Sequence, residues 1–136
     1  MTQTRSNWLF NEQPAGTSRA DIIKWWESRR LTYNMLVGAV GVISWLSVLI
    51  AGSAAVKDGV DFEEPLAMIF GPFVYGFMAD ICYTFGWIFD IAFGNSAPSR
   101  NRFRNGLIFS LVLTALPGLW AVFCWVMTII TGHKLD

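Results

Sequence analysis

The stretch "LIFSLVLTALPGLWAVFCWVMTIIT", residues 107–131, contains no charged side chain. A helix needs about 20 apolar residues to cross roughly 30 Å of hydrocarbon, so this run is long enough to span a membrane. Two more runs share the property. Met35–Val56 carries no charge, and Leu66–Gly94 carries only Asp80 and Asp90. Together they cover most of a 136-residue chain that is 54% hydrophobic and 15% charged, which leaves no room for a separate soluble catalytic domain. In lipid the backbone must satisfy its own hydrogen bonds, so all three runs are predicted to be helices. The expected fold is therefore an all-α membrane protein with three transmembrane helices, at about 35–56, 66–94 and 107–131.

The rest of the chain is organised around these spans. Residues 1–16, polar and holding Pro14 and Gly16, read as a flexible tail ahead of a single membrane domain, 17–136. Ser18 with Asp21 three residues on forms a capping-box start for a helix over 18–34. On that helix Ile22, Trp26, Arg29 and Tyr33 share one face. It is expected to be an amphipathic helix on the cytoplasmic side, either in the interface or continuous with the first span. Trp25 and Trp26 would sit at headgroup depth, with Arg29 and Arg30 on inner-leaflet phosphates. Asp58-Gly59 reads as a turn, Glu63-Glu64-Pro65 as a helix start, and Gly94 as a helix stop.

Charge sets orientation. Five basic residues precede the first span (Arg5, Arg19, Lys24, Arg29, Arg30) and one follows it, Lys57. Three lie in the second connection (Arg100, Arg102, Arg104) and one in the tail, Lys134. Basic residues favour the inner side, so the N-terminus is predicted inside and the C-terminus outside. Ser28-Arg29-Arg30 with Gly52–Ala55 loosely resembles a cleavable twin-arginine signal, but the run between is long and more membrane follows it, which favours a retained span. The neutral total, with 10 basic and 10 acidic residues, and the lack of a basic tract point away from nucleic acid. Anionic lipid of the inner leaflet is the expected partner of Arg100, Arg102 and Arg104, together with a second copy or a partner membrane subunit.

Helical faces carry the remaining information. Steps of four and three along the third span select Ser110, Thr114, Pro117, Ala121, Cys124, Thr128 and Thr131. All are small or proline, a face suited to close helix packing. Gly41, Ser44, Ala51 and Ala55 offer a looser counterpart on the first span. The second span gives Gly76, Asp80, Tyr83, Trp87, Asp90 and Gly94, which places both acids on one seam. An Asp at the centre of a membrane helix costs about 3 kcal/mol, so this seam should face protein or water. Asp90, near the inner end, is within reach of the arginines. Asp80 is placed near the midplane, where no cation lies on the other spans. It is expected to be protonated, hydrogen-bonded to Ser44, Ser47, Thr114 or Tyr83, hydrated, or paired with a bound cation. Pro117-Gly118 should kink the third helix and free the carbonyl of Leu113.

Catalytic patterns are missing. His133 is the sole histidine, and no phosphate loop, HExxH or GxSxG occurs. Asp80 and Asp90 are about 15 Å apart along a helix, too far to share a proton. Cys82 and Cys124 sit at different depths and read as small apolar residues. No enzyme activity, cofactor or metal is expected. "WWESRRLTYN" (25–34) and "ICYTFGW" (81–87) together resemble a pattern in small bacterial integral membrane proteins. That resemblance implies a bacterial inner membrane and carries over no functional residue. Three functions follow as expectations. The first is a non-enzymatic oligomeric or accessory-subunit module. The second is a small oligomeric channel or proton-coupled transporter using Asp80. The third is an effector that meets a cytoplasmic partner through Trp25, Trp26, Arg29 and Arg30.

Overall fold

A computed structural model describes residues 9, 18–57, 65–93 and 100–134. Among these residues three helices are long and apolar enough to cross a membrane. They are α1 (Arg19–Ala55), α2 (Pro65–Phe93) and α3 (Arg100–Thr131). The predicted turn at Asp58-Gly59, the acids Glu63 and Glu64, and Gly94 lie outside the described residues.

Local signals account for the helix ends. Ser18 caps α1 reciprocally: its Oγ accepts from the Asp21 N–H at 3.2 Å, and its own N–H donates to the Asp21 carboxylate at 3.3 Å. No glycine or proline interrupts the chain from Ser18 to Val37, so nothing divides the charged segment from the apolar one. Residues 18–34 are therefore not a separate interfacial helix but the first turns of α1, which stays α-helical to Ser47. A π-helical turn follows at Val48–Gly52 before the last turn, Ser53–Ala55. Proline opens α2 at Pro65, where its missing N–H removes no helical bond. α3 closes on Gly132, whose φ of +70° is left-handed and whose N–H reaches the Thr128 carbonyl at 2.9 Å.

α1 and α3 form the principal pair. Their small-residue faces meet each other within one chain. The methyl group of Thr114 lies against Gly41, and Ser44, Ala51, Ala55, Thr114, Gly118 and Ala121 are buried. The seam of α3 differs from the expected one at two steps. Gly118 faces inward and Pro117 outward, while Thr131 is exposed. Gly118 is the point of closest approach. A Cβ there would stand 2.7 Å from the Cα of Ser44. Its N–H donates to the buried Oγ of Ser44 at 2.8 Å. Since small residues admit this approach, α1 and α3 gain backbone-to-backbone packing, the main adhesive between helices in lipid.

α2 is held differently, at one edge. Only Tyr83 and Asp90 are buried on it. Pro72 lies inside the helix and removes the N–H that would bond the Met68 carbonyl. The indole of Trp45 supplies the substitute, donating to that carbonyl at 3.1 Å.

These contacts fix the register. Tyr33 meets Ser110 and Ser44 meets Gly118, so the charge-free runs of α1 and α3 lie side by side. Running antiparallel, α2 pairs Met68 with Trp45, Ala79 with Tyr33, and Asp80 with Asn34. Its residues 81–93 thus extend about 20 Å past the level at which the apolar run of α1 begins. At the other end, α1 runs about 10 Å beyond Pro65. The second helix is displaced toward the Arg19 end of the bundle.

Gly118→Val should force α1 and α3 apart and cost about 3 kcal/mol, because the added methyls meet backbone. Gly38→Ala, where an added Cβ meets nothing within 4 Å, should be neutral or slightly stabilising. Reversible unfolding in mixed detergent measures both. Equal stabilities for the two variants would refute the close-packing account.

Candidate functional site

The polar seam of α2 resolves into two ion pairs of different character. Asp90 has no exposed surface. Its carboxylate accepts from the Trp26 indole at 2.9 Å and from the guanidinium of Arg102. A buried carboxylate needs this: stripped of water, it is tolerable only when paired and hydrogen-bonded. Arg102 bridges α3 to α2, and Trp26 bridges α1 to α2, so one side chain joins all three helices.

Aromatic rings enclose the pair. The ring of Trp26 meets those of Tyr83, Phe103 and Trp25 edge-on, with centroids 5.3, 5.5 and 5.6 Å away. Offset and edge-on contacts suit the quadrupoles of these rings. The Tyr83 hydroxyl donates to the Trp26 carbonyl, and Tyr33 shares a 2.8 Å hydrogen bond with Ser110. Gly86 lets the far edge of Trp26 come within 3.1 Å of where a Cβ would be.

Asp80 lies farther out, with 36% of its side chain exposed. Arg30 donates to it at 3.2 Å and Asn34 at 3.1 Å, while Arg30 also reaches Glu27 and Thr84. This overturns the expected partners. Ser44 is bonded to Gly118, Ser47 to the Ile43 carbonyl, and Thr114 to Tyr75 and the Ser110 carbonyl. The cause is the displacement of α2. Centring its apolar run independently puts Asp80 at the midplane, but the observed register sets it level with Arg30 and Asn34.

Burial corrects the placement of the α1 aromatics as well. Trp25, Trp26 and Arg29 are core residues, not a headgroup-facing patch. The Arg29 guanidinium stacks on Trp25 at 3.9 Å and donates to the Trp25 carbonyl and to the carbonyl of Leu9, both at 2.8 Å. Leu9, the only described residue of the tail 1–16, packs against this cluster. The rest of that tail lies outside the described residues.

Of the remaining predicted residues, Trp87 is half-buried, and its indole N–H is buried without a hydrogen-bond partner. Ser110, Cys124 and Thr128 are half-buried along α3, and Gly76 is exposed. Cys82 and Cys124 are free thiols. Arg100 and Arg104 are exposed. Sequence reasoning missed Phe103, which is buried within the arginine group, and Trp45 with Pro72. The second omission was recoverable, since a proline frees the carbonyl four residues earlier.

Between α2 and α3, at the Arg19 end of the bundle, lies a cleft of about 350 Å³. Its floor is Trp26 and Tyr33, and Phe85, Phe89, Phe109 and Arg102 line its sides.

Asp90→Ala should cost about 1–3 kcal/mol, because it leaves the buried Trp26 N–H without its acceptor. Asp80→Ala should cost at most about 1 kcal/mol, since its pair is partly solvated. The checking measurement is the thermal midpoint in one detergent, and a reversed order would sink the distinction. Protein-family models, curated proteins and solved structures give no match to this chain, so its function has to be read from its own side chains.

Proposed function

We propose that this chain is a non-enzymatic integral membrane module with its N-terminus on the cytoplasmic side. It acts by assembling, with a second copy or with a partner subunit. A bacterial inner membrane is the setting its sequence resemblance points to. The supporting observation is the attachment of α2. The small-residue faces of α1 and α3 are spent on each other within the chain, so they no longer call for a partner. α2 is the helix left open. It carries Phe73, Phe77 and Leu66 outward, all about two-thirds exposed or more, and a Cβ at Gly71 or Gly76 would meet nothing within 4 Å. Small residues on an open membrane helix admit the close approach of another one.

The polar groups favour a structural role. Asp80, the carboxylate a transporter would use, is committed to Arg30 and Asn34. Arg29, Trp25 and Trp26, on which an effector surface would depend, are buried in the bundle.

Native mass measurement in a lipid nanodisc tests the assembly. More than one copy, or a stoichiometric second subunit, is the expected result, and a lone monomer would remove the proposal. Asp80→Asn should leave assembly intact. A folded Asp80→Asn protein that loses a proton or ion flux carried by the wild type would favour transport instead.

A further inference from the structure

The cleft between α2 and α3 has a chemical direction. At one end stands Arg102, its side chain 45% exposed. Arg102 is paired with the Asp90 carboxylate, and the same turn of α3 adds Arg100 and Arg104, so three cations stand against that one acid. Toward the other end the lining becomes Gly106, Phe109 and Ser110, which lie where α3 enters its charge-free run. Cationic at the membrane boundary and apolar toward the midplane, the cleft follows the order of a phospholipid: phosphate outside, acyl chain inside.

Gly106 supplies an independent reason. A Cβ at this position would meet nothing within 4 Å, and the backbone there is ordinary helix. Glycine is among the poorest helix formers, so neither packing nor conformation calls for it. Its consequence is the open cleft. Gly86 across from it differs, because Trp26 packs against it. The space of about 350 Å³ admits a stretch of methylene chain.

We propose that this cleft binds one anionic phospholipid from the leaflet on the Arg102 side. One acyl chain lies along Gly106 between α2 and α3, and the phosphate sits at the Arg102 guanidinium. The basic turn of α3 sets the preference for a net negative headgroup, as basic pockets between membrane helices do elsewhere. The site stands whether or not the chain assembles.

The test is native mass spectrometry of the delipidated full chain, given equal phosphatidylglycerol and phosphatidylcholine. Wild type should retain one phosphatidylglycerol per chain. Gly106→Leu fills the cleft and should retain it about tenfold less or weaker still, with circular dichroism unchanged. Gly38→Leu, an equally open glycine away from the cleft, should match wild type. Equal retention in all three, no preference between headgroups, or a dimer lost in Gly106→Leu with no lipid bound would each overturn the proposal. If Gly106→Leu does not fold, a bimane label on Cys82, which lines the cleft, replaces it, with Cys124→Ala in the background. Brominated phosphatidylglycerol should quench that label more than brominated phosphatidylcholine, and equal quenching would overturn the site.

Discussion

Asp90 is a carboxylate with no exposed surface. Removing such a charge from water costs several kcal/mol, and the cost is recovered only at a place where a cation and a hydrogen-bond donor converge. In this bundle Arg102 and Trp26 meet at one such place. The requirement acts as a register pin. Sliding α2 by one turn would separate Asp90 from the Trp26 indole and from Arg102. The apolar surface of α2 imposes no comparable preference, since its large side chains meet lipid about equally well at any axial position. The axial position of α2 is therefore set by one acid at the Arg19 end of the bundle, and the positions of Asp80, Pro65 and the cleft follow from it.

The two helix interfaces consequently rest on different physics. α1 and α3 approach through glycine, alanine, serine and threonine, with Gly118 against Ser44 as the tightest point. Such contacts are additive dispersion, with one hydrogen bond at the centre. α2 is attached by discrete polar links at intervals: Trp45 to Met68, Tyr75 to Thr114, Arg30 to Asp80, and Trp26 to Asp90. Interhelical hydrogen bonds in membranes contribute only about 0.6–2 kcal/mol each, so α2 holds by several modest links and one strong ionic one.

The spans were legible because apolar runs of that length have few other uses, and the small face of α3 was legible in part, since Thr114 and Ala121 of its seven positions are buried while Pro117 and Thr131 are exposed. Asp90 finding an arginine was also readable, from proximity along the chain. Helix register was not. Each apolar run can be centred in the bilayer separately, and nothing local says that α2 is shifted by several turns. Hence Asp80 was placed too deep. The burial of Trp25, Trp26 and Arg29 was hidden for a related reason. A Trp-Arg cluster at a span boundary reads as interfacial unless another helix extends beyond the boundary to cover it. Here residues 81–93 of α2 do so, together with Phe103.

The same displacement explains why the two ends of the bundle differ. Past Pro65, among the described residues, α1 and α3 remain, and their alanines and π-turn close against each other. At the Arg19 end all three helices overlap, and the aromatic cluster fills the space between them. Asp90 and Arg102 join α2 to α3 there, and Gly106 contributes no side chain to the space beside them. A pocket with a charged rim and an apolar throat is thus a geometric result of pinning a shifted helix at its end. Filling that throat with larger residues would leave the pin and the principal helix pair untouched, which makes the cleft separable from the fold.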